Sequence, residues 1–123
     1  MAKRVTIIDD DHGIAKGAAI ALSRAGYETN VITNTDDFPH LQQTPPDLIV
    51  IDVNMQDVFG DDVCHFLRYS WRVTVPIFLW SGISEDSLRR RADQSGASGY
   101  VCKEWGFDAL VAAVQSTLET KTI

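Results

Sequence analysis

Short apolar runs alternate along the chain with stretches in which apolar residues recur every three or four positions. Five runs have the length and the branched or aromatic side chains of β-strands, at residues 5–8, 29–33, 48–51, 77–80 and 100–102. The third and fourth runs are apolar throughout, which is typical of strands covered on both faces. Asn30 interrupts the second run and makes it the weakest of the five.

Five helices are predicted between and after these runs. The first has apolar residues at helical spacing over residues 14–25 and stops at Gly26, a residue typical of helix ends. The second is short, is capped by Thr35 or Asp36, and ends before the proline pair at 45–46. The inward faces of the other three are predicted from their apolar residues: Val63, Phe66 and Leu67; then Leu88 and Ala92, after a start near Ser84; then Phe107, Leu110, Val111, Val114 and Leu118.

This alternation predicts an α/β fold. A helix between successive strands implies right-handed crossovers, which make the strands parallel in one sheet with helices on both faces. For 123 residues the natural solution is a doubly wound five-stranded parallel sheet in the flavodoxin-like order 2-1-3-4-5, with five helices. The length fits one domain, and we expect residues 1–123 to form it.

Composition limits the classes of function. The formal net charge is −6, so we expect this domain alone not to bind nucleic acid, which requires a basic surface. No apolar run approaches the ~20 residues that span a bilayer, and the first residues do not resemble a signal peptide. We therefore expect a cytoplasmic protein without a membrane partner. Cys64 and Cys102 lack metal-ligand or redox spacing, which favours buried, reduced thiols.

Chemically active side chains follow four of the predicted strands. Asp9 and Asp10 follow the first strand, Asp52 the third, Ser81 the fourth and Lys103 the fifth. Parallel strands end at one edge of a sheet, and ligands bind beyond that edge, where the strand order reverses between strands 1 and 3. We therefore expect three carboxylates, a hydroxyl and an amine to converge there.

A cluster of carboxylates needs counter-charge. Two carboxylates ~5 Å apart repel by about 3 kcal/mol at an effective dielectric near 20. Hard oxygen ligands that leave room for several waters suit Mg²⁺. One Mg²⁺ together with Lys103 would balance the charges of Asp9, Asp10 and Asp52, so the sequence predicts a magnesium site.

Each of these residues also has an ordinary structural explanation. Asp11, beside the acidic pair, fits the N-cap of the first helix. Asp52 alone fits a turn at a strand end, Ser81 fits a loop hydroxyl, and Lys103 fits a solvated surface lysine. These explanations account for the residues singly but not for complementary groups at all four strand ends, which favours a functional site.

The strand-end residues resemble those of response-regulator receiver domains of two-component phosphorelays, of the chemotaxis-regulator kind. The resemblance extends over essentially the whole chain and implies a phosphoacceptor signalling domain, not an enzyme. The segments that carry it are Ile7-Ile8-Asp9-Asp10, Ile51-Asp52-Val53-Asn54-Met55 with Gly60 eight residues after the aspartate, Trp80-Ser81-Gly82, and residues 96–103.

The resemblance also implies roles for single residues. Asp52 would accept the phosphoryl group, with Lys103 and Ser81 acting at that group. Asp10 would bind Mg²⁺ directly and Asp9 through water, while Asp52 and the backbone carbonyl of Asn54 would complete the metal ligands.

A switch and its partners are implied as well. Ser81 would follow the phosphoryl oxygen, and Tyr100 would rotate into the space that Ser81 vacates. The surface formed by the fourth helix, fifth strand and fifth helix would then change for its partners, and a homodimer through it is one assembly that the family allows. The phosphoryl donor would be a histidine kinase or a histidine phosphotransfer protein.

Two positions depart from the family's usual sequence. Gln56 stands where a proline usually follows the methionine, and Glu104 stands where a proline usually follows the lysine, often after a cis peptide bond. A cis bond before a residue other than proline costs ~2.5–4 kcal/mol, so the Lys103–Glu104 bond should be trans. The path of this loop, and with it the reach of Lys103, stays open at this point.

Three other classes of function are alternatives. A degenerate receiver would dock partners without being phosphorylated. An aspartyl-phosphate hydrolase of the haloacid-dehalogenase kind carries a second acid two residues after its nucleophile, where this chain has Asn54. A flavin carrier of the same fold needs a phosphate-binding loop after the first strand, where residues 9–11 are acids that would repel phosphate.

Overall fold

A five-stranded parallel sheet forms the centre of the protein in the computed structural model, which describes residues 2–119. The strands are β1 (Arg4–Ile8), β2 (Glu28–Ile32), β3 (Leu48–Asp52), β4 (Ile77–Ser81) and β5 (Gly99–Cys102). Every neighbouring pair is parallel, and the order across the sheet is β2-β1-β3-β4-β5. The predicted fold class and strand order are confirmed.

Helices cover both faces of this sheet. Within residues 2–119 the α-helices are α1 (His12–Arg24), α2 (His40–Gln43), α3 (Gly60–Tyr69), α4 (Glu85–Ser95) and α5 (Gly106–Leu118). Single 3₁₀ turns precede α2 and α5, at Thr35–Asp37 and Lys103–Trp105. No helix in this described part of the chain is long and apolar enough to cross a membrane.

Alternate side chains of the central strands pack on opposite faces of the sheet. Leu48 and Val50 of β3 join the cluster that contains the inner sides of α1 and α5. Ile49 and Ile51 join the cluster that contains the inner sides of α2, α3 and α4. Because both faces are covered, all residues of β3 and β4 are buried, and this explains why those two runs are apolar throughout.

The second helix differs from its prediction. Asn34, not Thr35 or Asp36, is the N-cap, and its side-chain oxygen accepts a hydrogen bond from the N–H of Asp36 at 2.9 Å. This cap starts only the 3₁₀ turn, and the four-residue α2 begins after Pro39. The prediction missed the cap by one residue because Asn, Thr and Asp all serve as caps and the sequence does not rank them.

Two aromatic residues predicted to face inward lie partly at the surface. Phe66 is 42% exposed and packs edge-on against Trp71, with ring centroids 5.0 Å apart. Phe107 is 37% exposed and stacks on Trp80 at 6.2 Å, over the backbone of Gly17. Helical spacing placed both rings near the inner face, but they lie on its margin.

Arg68 ties the end of α3 to the two loops that flank β4 and β5. Its guanidinium donates to the carbonyls of Gly96, Val73 and Val75 at 2.7–2.8 Å and to the hydroxyl of Ser98 at 3.1 Å. That hydroxyl in turn accepts from the N–H of Ile77 at 3.1 Å, at the start of β4. One arginine therefore satisfies three backbone carbonyls that would otherwise need other donors.

The start of α4 and the state of the two cysteines agree with their predictions. Ser84 caps α4 and accepts from the N–H of Ser87, and Gly96 ends the helix with a φ of +82°, a left-handed conformation that favours glycine. Cys64 and Cys102 are buried free thiols, as predicted.

Candidate functional site

The carboxyl ends of β1, β3 and β4 place three polar side chains in the interior. Asp9 and Ser81 are fully buried and Asp52 is 4% exposed. Asp9 directly follows β1, Asp52 is the last residue of β3 and Ser81 is the last residue of β4. The parallel order of the strands thus produces the convergence that the sequence predicted.

Lys103 bridges two of these carboxylates. Its Nζ lies 3.1 Å from Asp9 Oδ2 and 3.2 Å from Asp52 Oδ1. The Lys103–Glu104 peptide is trans, since no cis peptide bond occurs in residues 2–119, and the chain turns at once into a 3₁₀ helix. The absence of the family's usual proline at position 104 therefore does not prevent Lys103 from reaching the acidic residues.

Asp9, Asp10 and Asp52 form a cluster of carboxylates that could hold a metal ion. Carboxylate oxygens of all three lie within 4.8 Å of one another, which is a spacing that one cation can bridge. The donor set consists entirely of oxygens and carries three negative charges beside one lysine. Such a set fits Mg²⁺, a hard cation that takes few protein ligands and keeps several waters.

Burial controls the ionisation of Asp52. Removal from water, followed by repulsion from Asp9, raises the pKa of this carboxyl to about 6, against the opposing effect of Lys103. The carboxylate form therefore predominates at neutral pH, although it is less stable there than an exposed aspartate. Asp52 Oδ1 forms an ion pair with Lys103 at 3.2 Å and accepts a hydrogen bond from the N–H of Asn54 at 3.3 Å.

Asp11 has the capping role that the sequence allowed. Its side chain accepts a hydrogen bond from the N–H of Ile14 at 3.1 Å and begins α1. Its own N–H donates to Asp9 Oδ1 at 3.0 Å. Asp9 is thus held on one oxygen by the backbone and on the other by Lys103, so both oxygens of this buried carboxylate have a partner.

The loop after β3 is closed close to Asp52. Asn54 pairs with Phe59 across the loop, and the N–H of Gly60 donates to the carbonyl of Val53 at 2.8 Å. A Cβ at position 60 would lie 1.9 Å from the carbonyl oxygen of Asp52. Glycine is required there because any side chain would collide with the backbone of Asp52.

Sequence reasoning missed one contact in this loop. The backbone N–H of Gln56 donates to Asp10 Oδ2 at 2.6 Å. Gln56 had been noted only as a departure from the family's proline. A backbone donor is not visible in a residue's identity, but proline lacks the N–H, so its replacement was the one available signal.

The two residues assigned to a switch lie on separate strands. Ser81 Oγ accepts from the N–H of Ile83 at 3.3 Å. Tyr100 is half-buried, and its hydroxyl donates to Glu85 Oε2 at 2.9 Å and accepts from Arg89 Nε at 3.4 Å. The hydroxyl of Tyr100 is therefore bonded to residues of α4 and not to the aspartates at the strand ends.

Comparison with known proteins identifies the class. The model of the response regulator receiver domain matches residues 5–115. The chain belongs to the response regulator receiver domain family, whose members act in two-component signalling.

Two similar proteins are the transcriptional regulatory protein KdpE of Mycobacterium tuberculosis, 31% identical, and the DNA-binding response regulator MtrA of Mycobacterium leprae, 30% identical. Each match covers 96% of this chain but 52% of the relative, so the chain spans about half the length of these proteins.

Solved structures agree on the fold. A response regulator from Chloroflexus aurantiacus superposes with a TM-score of 0.88 at 24% identity, covering 98% of this chain and all of that one. DrrB of Thermotoga maritima, an OmpR/PhoB homologue, superposes with a TM-score of 0.84 at 25% identity, covering 97% of this chain and 54% of that one.

Proposed function

We propose that this domain accepts a phosphoryl group on Asp52 from a phosphohistidine, in a reaction that depends on Mg²⁺. The observation that carries the proposal is the position of Lys103 Nζ, 3.1–3.2 Å from both Asp9 and Asp52, with the Asp10 carboxylate on hand to complete a cation site. The family resemblance assigned Asp52 and Lys103 to phosphoryl transfer, and Asp9 and Asp10 to the binding of Mg²⁺.

The contacts of Asp52 indicate which of its oxygens would attack the phosphoryl group. Asp52 Oδ1 is engaged by Lys103 and Asn54, whereas Oδ2 accepts no hydrogen bond from any group in residues 2–119 and is the oxygen assigned to attack. A P–O bond to Oδ2 forms as the P–N bond to the donor imidazole breaks, and the imidazole nitrogen keeps the electron pair. Bound Mg²⁺ would offset charge on the phosphoryl oxygens.

Lys103 has two functions in this scheme. Before transfer, its ammonium group compensates part of the charge of the buried Asp9–Asp52 pair. During transfer it is placed to stabilise negative charge on the phosphoryl group, an electrostatic contribution that needs no proton transfer. The pKa of Asp52 near 6 leaves the nucleophile ionised at neutral pH.

The signal would leave through a change at Tyr100. In the present structure, hydrogen bonds to Glu85 and Arg89 hold its hydroxyl against α4. Movement of Ser81 toward a phosphoryl oxygen would open space for the ring and shift the balance between two positions. Partners would read the surface of α4, β5 and α5, and a homodimer through that surface remains part of the proposal.

The partners and the location are proposed by analogy with the family. The donor would be a histidine kinase or a histidine phosphotransfer protein in the cytoplasm, and we do not assign nucleic acid binding to this acidic domain. KdpE and MtrA are named as regulators of transcription, and this chain matches about half of each. We propose residues 1–123 as one receiver domain that acts as a switch, not as an enzyme with a small-molecule substrate.

A docking module that is never phosphorylated is the alternative function. It shares the fold and the partner surface, so only chemistry distinguishes the two. The paired Lys103 and the clustered acids favour the phosphoacceptor, because a docking module has no use for a destabilising buried carboxylate cluster.

Labelling with acetyl phosphate tests the proposal. With Mg²⁺, intact-mass spectrometry should show a single adduct of about 80 Da, the mass of one phosphoryl group, on the wild type. The adduct should be absent with chelator and absent from Asp52→Asn. Equal labelling of wild type and Asp52→Asn would refute the assignment of Asp52, and no labelling of a folded wild type would support the docking module.

A further inference from the structure

We infer that the backbone N–H of Gln56 is a positioning group for the cation site, because it fixes the Asp10 carboxylate in a binding orientation. This inference rests on the proposed function, since it concerns the Mg²⁺ that the function requires. It assigns a role to the peptide at position 56 and none to the glutamine side chain.

The geometry of Asp10 supports this role. Gln56 N lies 2.6 Å from Asp10 Oδ2, a short contact of the kind made by a donor to a charged carboxylate. Within residues 2–119 this is the one hydrogen bond made by the Asp10 side chain. Asp9 and Asp52, in contrast, are both held by Lys103.

An unrestrained Asp10 would be free to turn away from the site. Its residue is only partly buried, and the other two carboxylates repel it. A donor on Oδ2 reduces the rotamer freedom that cation binding would otherwise remove, and it leaves Oδ1 available as a ligand. Hydrogen-bond partners of metal ligands typically contribute 10–100-fold to metal affinity.

The hydrogen bond to Asp10 depends on which residue occupies position 56. Gln56 is exposed, and within residues 2–119 its side chain makes no hydrogen bond to Asp9, Asp10 or Asp52. The family's usual proline at this position has no N–H and cannot make the bond. Any other residue keeps the donor, so substitution of Gln56 separates the peptide from the side chain.

Two variants, made in the full chain, test the inference. Mg²⁺ affinity is measured by NMR titration of the ¹⁵N-labelled wild type, Gln56→Ala and Gln56→Pro at the same pH and ionic strength. Gln56→Ala keeps the N–H and should bind within about twofold of wild type. Gln56→Pro removes the N–H and should bind about 10-fold or more weakly.

A second measurement needs neither metal nor the proline variant. In metal-free protein the amide of residue 56 should exchange slowly with solvent, although it lies in an exposed loop. Asp10→Ala removes the acceptor and should raise that exchange rate about 10-fold or more, while the amides of β3 keep theirs.

The outcomes separate this inference from the proposed function. Three results would each overturn the inference alone. They are a wild-type Mg²⁺ affinity in a folded Gln56→Pro, an equal loss of affinity in Gln56→Ala, and an amide exchange rate at position 56 that Asp10→Ala does not change. A wild type that binds no Mg²⁺ would overturn the proposed function together with it.

Discussion

Replacing Asp52 with asparagine should stabilise the metal-free protein at neutral pH. Asp52 is 4% exposed and lies beside the fully buried Asp9, and burial is the main cause that raises its pKa to about 6. Asparagine has the same shape without the charge. The exchange removes the desolvation and repulsion and leaves Lys103 paired with Asp9.

The size of the effect follows from the pKa. The carboxyl titrates near 3.8 without the fold and near 6 within it, so the folded state binds the proton more tightly. The stability that this proton contributes is present below about pH 4 and is lost as the pH rises through 6. At 1.36 kcal/mol per pH unit, the charged Asp52 costs about 3 kcal/mol above pH 7, and Asp52→Asn should recover that amount.

Urea unfolding in the presence of a chelator measures this difference. Wild type and Asp52→Asn are compared at pH 7.5 and again near pH 4, where the gain should shrink toward zero. Asp93→Asn, an exposed carboxylate on α4, controls for the loss of one negative charge. Equal stabilities of Asp52→Asn and Asp93→Asn at pH 7.5, or a gain that persists at pH 4, would refute the reasoning.

Two further substitutions test local features of the structure. Gly60→Ala places a Cβ 1.9 Å from the carbonyl oxygen of Asp52 and should lower stability by about 1–3 kcal/mol in thermal or urea unfolding, whereas Gly82→Ala, with open space at its Cβ, should lower it much less. Arg68→Met leaves three carbonyls without their donor and should cost about 3 kcal/mol in the same assay, with the exposed Arg90→Met as control. A loss no greater than that of its control would contradict either prediction.

The sheet and the approximate site were predictable because both follow from patterns of residue type. Apolar runs such as 48–51 specify buried strands, and parallel strands bring their carboxyl ends together whatever the details of the loops. The proximity of Asp9, Asp52 and Lys103 is therefore a consequence of strand order. The alternation of strands and helices was enough to predict that these three residues lie at one edge of the sheet.

Features that depend on small differences between neighbouring positions, or on hydrogen bonds of backbone groups, were not predictable in this way. Phe66 lies at the edge of a helical face, where a rotation of a few tens of degrees decides between core and surface. Asn34 competes with two neighbouring residues of similar capping ability. The bond from Gln56 to Asp10 belongs to a peptide group, which every residue except proline carries.

The buried position of Asp52 has opposite consequences for stability and for the proposed transfer. Burial and the neighbouring Asp9 make its carboxylate costly, which is why its pKa lies near 6 and not near 3.8. A carboxylate that is poorly solvated and has one oxygen without a hydrogen-bond donor is also a group that gains from bond formation to phosphorus. We therefore expect Asp52→Asn to be more stable than the wild type in the absence of metal and to take no phosphoryl group. The destabilisation is then a property of the nucleophile and not a defect of packing.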